Sequence, residues 1–283
     1  MSILYYIAHM NNKTNSKQNI FLFIALLIGG SFLQSCSDED ENITNINPSN
    51  TAGCYITQEV IDDGSQIETI IYTYDNNNNI TAATSTIEQG TPSTTTFEYD
   101  ENRIITATDI QNIYEFKYSG VSLIPSRVDV KSGTDITGYY VIQFSGQNIT
   151  EFEEHDLTSG DDIINSKTNF EYDNRGNMIK ASVSEFDEDA QELVPLIDFE
   201  GSIFDGKINP YNSSFVFFFM DPGNPSKVGK ENIVSGELTI SGFPDSFPIA
   251  ASYEYNDKQY CTSSSLTVPG LITENTTITY DCK

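Results

Sequence analysis

The sequence predicts an all-β body: repeated antiparallel β-hairpins forming a strongly twisted sheet. Three observations carry that expectation. From residue 53 onward, short runs rich in Ile, Val, Thr, Tyr and Phe alternate with clusters of Asn, Asp and Gly, the pattern of strands joined by tight turns. No long window places apolar residues at helical spacing. One short unit also recurs: residues 72–80 (YTYDNNNNI), 97–104 (FEYDENRI) and 170–179 (FEYDNRGNMI), with weaker copies at 114–120 (YEFKYSG), 141–149 (VIQFSGQNI) and 253–260 (YEYNDKQY).

The unit reads as aromatic-x-Tyr-Asp, a run of Asn or Gly, then an aliphatic residue and a second strand. Its alternating aromatics bury on one strand face. Asn, Asp and Gly tolerate the positive φ that tight hairpin turns require. The aliphatic after the turn points back to the buried face. Each unit is a hairpin that buries little alone, so neighbours must stack side by side. Residues 172–179 are similar to the YD repeats of RHS-type proteins. The whole arrangement resembles the YD-repeat-containing lipoproteins of Bacteroidetes, uncharacterised domains of the DUF4595 type, over most of residues 54–283. The segment 209–219 (NPYNSSFVFFF) and the late repeat over 253–266 fit the same family. Several units lack the glycine, and the last carries Tyr260 and Cys261 beyond its turn, which leaves the number of hairpins open. The resemblance implies a mostly antiparallel, strongly twisted sheet and no established activity. Hairpin counting does not decide whether that sheet stays open or closes.

The elements before the body read as an export apparatus. Residues 1–35 have the layout of a secretory signal: a polar stretch whose only charges are Lys13 and Lys17, then a short apolar run over 20–33. That run is shorter than the roughly 20 residues a membrane-spanning helix needs. Met10 makes the more usual start, because 10–17 is the more ordinary positive region. The segment from Leu33 to Cys36 resembles the lipobox of bacterial lipoproteins, with Leu33 three before the cysteine, the small Ser35 just before it, and Gln34 a tolerated departure. By that resemblance Cys36 carries the lipid, palmitate included, as the first residue of the mature chain. Ser37, Asp38, Glu39, Asp40 and Glu41 resemble the export signal of Bacteroidetes surface lipoproteins. Their plainer reading is a solvated acidic linker. Residues 36–52 as a whole read as an acidic, flexible tether, and 53–283 as the YD-repeat-like β domain.

Composition limits the partners. All 41 acidic residues follow Cys36, while two of the 14 basic ones precede it, so the mature chain is more acidic than the formal −27 of the full sequence. Such a surface repels nucleic acid and anionic headgroups. With Cys36 lipidated, Cys54, Cys261 and Cys282 remain, an odd number. A bridge from Cys282 to Cys261 or to Cys54 suits an oxidising envelope; three buried free thiols are the alternative. No C-x-x-C occurs and His155 is the one histidine after Cys36, which excludes a zinc site of the usual kind.

Catalytic chemistry finds little footing. Nucleophilic catalysis needs a histidine beside its nucleophile, and His155, within 151–156 (EFEEHD), reads as a surface strand end. No G-x-S-x-G and no phosphate-cradling glycine loop occurs. Asp75 to Asn79, Asp161 with Asp162, and Asp187 to Asp189 are oxygen-rich, yet none has the calcium-loop pattern, so no metal and no cofactor is assigned. Carboxylate pairs for glycoside hydrolysis are too numerous to single out, and there is no Trp for sugar stacking. The run 215–220 (FVFFFM) breaks the hairpin rhythm, either as a strand buried on both faces or as a short helix packed over the sheet; an exposed docking patch is the functional reading.

The expected role is a lipid-anchored envelope or cell-surface protein, non-catalytic, that binds or scaffolds a glycan or an outer-membrane protein partner. It would be an outer-membrane lipoprotein, surface-exposed, with a periplasm-facing placement as the alternative. The rival classes are an extracellular polysaccharide hydrolase, marked by a cleft of converging acids, and a structural spacer. A binding module should show a shallow face of exposed Tyr and Phe.

Overall fold

The computed structural model describes residues 53–88, 90–222 and 224–282. The signal segment, Cys36, residues 37–41 and the tether lie outside the described residues. Sixteen strands run in chain order: β1 (Cys54–Asp62), β2 (Ile67–Tyr74), β3 (Ile80–Ile87), β4 (Ser93–Asp100), β5 (Arg103–Thr108), β6 (Ile113–Lys117), β7 (Arg127–Ser132), β8 (Asp135–Ser145), β9 (Asn148–Asp156), β10 (Ile163–Tyr172), β11 (Met178–Asp187), β12 (Glu192–Ile208), β13 (Glu231–Ile240), β14 (Phe247–Tyr255), β15 (Cys261–Val268) and β16 (Ile272–Cys282). Each pairs antiparallel with its chain neighbours, and β16 returns to β1, so the sheet closes into a barrel. Closure removes both sheet edges, which settles the question that hairpin counting left open.

The recurring sequence unit builds one end of this barrel. Asp75 Oδ1 accepts from the backbone N–H groups of Asn77 and Asn79 (both 2.8 Å). Asp173 Oδ1 does the same for Arg175 and Asn177, and Asn256 Oδ1 for Lys258 and Tyr260. The shared geometry of these three turns comes from a side chain that replaces missing backbone partners. Behind each turn the ladder slips, as at Tyr74 opposite Ile80 and Tyr172 opposite Met178.

The tyrosine of the unit has a different task. Tyr74 donates to the Ile56 carbonyl (2.6 Å), Tyr99 to Ile80 (3.0 Å), Tyr118 to Ile104 (3.0 Å), Tyr172 to Ile149 (2.8 Å), Tyr253 to Ile233 (2.8 Å) and Tyr280 to Cys261 (2.7 Å). Each hydroxyl therefore reaches across to the immediately preceding strand of the wall and satisfies a carbonyl there. The rings fill the lumen and the hydroxyls staple repeat to repeat. Burial raises the hydroxyl pKa of all six.

Cys54 and Cys282 lie opposite each other where β1 meets β16, and a disulfide joins them across the closing seam. Cys261 is free and buried. A Cys261–Cys282 bridge does not form, because the β15–β16 register sets Ser263 opposite Thr277 and leaves Cys261 short of Cys282.

The two faces of the wall differ sharply. Inward residues such as Phe97, Ala107, Val128, Ile142, Phe152 and Phe170 form the core. Outward positions carry threonine pairs (Thr84 with Thr94, 3.0 Å) and ion pairs (Lys131 with Glu115, 2.5 Å; Lys167 with Glu151, 2.6 Å, and Glu153, 2.8 Å). The large apolar side chains exposed among the described residues are aliphatic, such as Ile71, Ile105 and Ile203.

The chain between β12 and β13 enters the lumen as a plug. It contains a 3-10 turn (Pro210–Ser213), the helix α1 (Phe215–Met220) and a second 3-10 turn (Pro225–Lys227). Asn209, 3 % exposed, clamps both ends of the plug. Its Oδ1 accepts from Tyr211 N–H (3.0 Å), and its Nδ2 donates to the Ser226 (2.8 Å) and Val228 (3.4 Å) carbonyls. Gly229, at φ +88°, closes the plug where a Cβ would stand 3.0 Å from Met178 N, so only glycine fits there. Ser214 caps α1 by accepting from Val216 N–H (3.2 Å). Of the two sequence readings for 215–220, the helix holds, but it sits inside the barrel rather than over the sheet, and Val216, Phe217 and Phe218 are buried. No exposed docking patch forms at this run. Its phenylalanines face apolar wall on several sides, as a lumen demands.

Candidate functional site

The plug divides the lumen into an apolar and a polar half. On the β2–β10 side, α1 packs edge-on against wall aromatics: Phe217 on Tyr72 (5.2 Å between centroids), Phe219 on Tyr114 (5.1 Å) and Phe116 (5.0 Å), Phe218 on Phe152 (5.5 Å). Such tilted pairs are the favourable aromatic geometry. On the other side, facing β13–β16 and β1, a cavity of about 50 Å³ remains. Its walls include Asn209, Tyr211, Asp221, Ser226, Lys227 and Glu274.

Charges gather around this cavity. The side chain of Lys227 is 9 % exposed, and its Nζ lies 3.8 Å from Oε1 of Glu59, which is fully buried. The ammonium stands 3.4 Å from the Tyr211 ring centroid, a cation–π contact in a desolvated setting. Glu59 Oε2 accepts from Tyr72 OH (3.1 Å), while Oε1 has no hydrogen-bond partner among the described residues. Burial raises the carboxyl pKa of Asp221, with Lys227 pulling it back, and burial raises Glu274 likewise, again against Lys227. A second small cleft, lined by Ile61, Asp63, Gln66, Glu68 and Glu274, adjoins the cavity toward the β1–β2 hairpin. On β9, β10 and β11 the register aligns Glu154, Ser166 and Glu185 in one row. Ser166 Oγ donates to Glu154 (3.3 Å). Burial, then the neighbouring Glu154 charge, pushes Glu185 up to about 7.

The residues singled out from sequence fall elsewhere. His155 faces outward on β9: its ring stacks on Tyr139 (4.2 Å), Nδ1 meets Asp162 (2.8 Å) and Nε2 meets Glu153 (3.4 Å). With a carboxylate at each nitrogen, the imidazole faces no nucleophile. Asp75 and Asp187 spend their Oδ1 atoms on the backbone N–H groups of their own turns, and Asp162 serves His155 and Tyr139. The acid-rich turns are thus turn chemistry. Cys261 turns inward, and burial pushes its thiol up to about 11. No Tyr or Phe among the described residues is exposed, so the shallow aromatic face expected of a surface binding module is absent there. Sequence reasoning missed Glu59, Lys227 and Glu274. Strict alternation along β1 would turn Glu59 to the face opposite Ile56; the ladder slip between Ile56 and Gln58 is what brings both inward, and the sequence carried no signal of it.

The architecture has solved counterparts. A porin-like protein from Bacteroides uniformis superposes with a TM-score of 0.53 at 13 % identity, covering 80 % of this chain and 96 % of that one. A porin-like protein from Bacteroides vulgatus gives a TM-score of 0.49 at 11 % identity, covering 81 % and 99 %. At this identity the first likeness shows a shared fold. No protein-family model and no curated protein matches the sequence.

Proposed function

We propose that this chain is a lipid-anchored protein of the outer membrane, tethered through Cys36, whose barrel stands in water as a non-catalytic binding or scaffolding body. The observation that carries this reading is the polarity of the wall. Membrane-spanning barrels turn an apolar band with aromatic girdles outward and keep a polar interior. Here the outward face carries Thr pairs and Lys–Glu pairs with scattered aliphatics such as Ile71, Ile105 and Ile203 and no exposed aromatic among the described residues, while most of the lumen is Phe, Ile and Val. The name porin-like, given to the two similar structures, suggests a channel; here α1 and its flanking turns fill the lumen. Membrane attachment then falls to lipid at Cys36, and the acidic stretch 37–41 serves as the signal for the cell surface. The turn units at Asp75, Asp173 and Asn256 support kinship with YD-repeat lipoproteins. A remaining space of about 50 Å³ is too small for a polymer to thread, which favours binding over polysaccharide hydrolysis.

Protease shaving of intact cells, combined with labelling by a palmitate analogue, tests this. The native chain should take the label and be digested. A variant with Asp38, Glu39, Asp40 and Glu41 changed to alanine should keep the label and be protected. An unlabelled native chain would overturn the anchor, and protection of both chains would overturn surface display.

A further inference from the structure

The luminal cavity is a built site rather than a packing remnant. Burying an ammonium is costly unless it is paired and hydrogen-bonded. Lys227 has an ion-pair contact with Glu59 at 3.8 Å, beyond hydrogen-bond reach. Its other close contact is the Tyr211 ring face. Its three N–H donors thus have no hydrogen-bond acceptor among the described residues, and the cavity lies beside them. Glu59 Oε1 is likewise buried without a hydrogen bond. Asp221 and Glu274 also line the cavity, and the charge of Lys227 acts on both carboxyls. Asp221 accepts from Asn224 Nδ2 (2.7 Å), which orients it.

Charge balance then selects the ligand. A simple anion would meet Lys227 but also the two acids of the lining, Asp221 and Glu274, with Glu59 already beside the ammonium. A simple cation would meet the carboxyls but also a buried ammonium. A small zwitterion satisfies both sides and leaves the net charge of the lumen unchanged. The volume, about 50 Å³, corresponds to a few water-sized groups, the scale of the smallest amino acids. We propose that the lumen binds a small zwitterion of this kind, its carboxylate on Lys227 and its ammonium between Asp221 and Glu274. The adjoining cleft beside Asp63, Gln66 and Glu68 shares Ile61 and Glu274 with the cavity. This site does not depend on how the protein is anchored.

The test uses the purified full chain in detergent, with glycine and L-alanine as probes and acetate and methylammonium as half-ligand controls. Ligands that bind only the native state raise its melting temperature in a concentration-dependent way. Glycine or alanine should do so and give saturable heats by calorimetry, while neither control does at equal concentration. Lys227→Met and Glu274→Gln, each checked for native circular dichroism, should each weaken binding about tenfold or more, as expected for loss of a charge-assisted hydrogen bond. Glu274→Gln keeps the test decisive if Lys227→Met does not fold. No response to either amino acid would overturn the proposal. So would equal binding of acetate or of methylammonium, or binding that Glu274→Gln leaves unchanged.

Discussion

At the scale of single residues, the tyrosines carry the most stabilising detail. Their place in a repeated motif invites a surface-binding interpretation, but their hydroxyls are spent on backbone carbonyls of a preceding repeat. Tyr172→Phe keeps the ring and deletes the donor to Ile149. It should lower stability by about 1 kcal/mol, read as a lower urea midpoint, whereas Thr94→Ala on the outer wall should change it by less than about 0.5 kcal/mol. Equal effects would show that the staple contributes nothing. Glu185 makes a different prediction. Its folded pKa, about 7, lies above the ordinary 4.5, so the native state binds this proton more tightly than the unfolded chain. The stabilisation is full below about 4.5 and is lost as pH rises toward 7. Glu185→Gln should therefore gain stability relative to the native chain between pH 5 and pH 8. A difference independent of pH would contradict the placement of Glu185 beside Glu154. The turn acids and apolar alternation were legible in sequence because they act on near neighbours. Glu59 and Lys227 were not, because nothing local says that residues 168 positions apart will face each other across a lumen.

At the scale of elements, the hairpins follow from local rules and the plug does not. Each hairpin obeys the period-two pattern and the turn chemistry of Asp, Asn and Gly, so the repeated units could be read directly. The run 215–220 has too few residues to show a helical period, and its composition said only that it is buried. What makes it a helix is the setting: Ser214 caps its start, and within the lumen it must satisfy its own backbone groups. Its aromatic contacts bind opposite walls together. Phe218→Ala removes contacts to Phe152 and Phe170 and leaves a void no neighbour can fill. It should cost about 3–5 kcal/mol, measured by thermal or urea unfolding. A loss below about 1 kcal/mol would mean that the plug is not part of the packed core.

At the scale of the whole molecule, closure is the property that sequence patterning alone left open. Sixteen strands close because β1 and β16 find each other, with Cys54 and Cys282 joined at that seam. Among the described residues the cysteines have separate fates: Cys54 and Cys282 form the bridge, and Cys261 is a buried thiol. Closure also fixes which face points outward, and here that face carries the threonine pairs and ion pairs. On the proposed function, that polarity is what makes the barrel a body held at the membrane rather than one built through it. The most direct test is the partition of an exported Cys36→Ala variant that retains a cleavable signal. The account predicts that the folded barrel, with its Cys54–Cys282 bridge intact, leaves the membrane fraction and appears in the aqueous one. Retention of the folded variant in the membrane after carbonate washing would contradict it and mean that the strands themselves contact lipid.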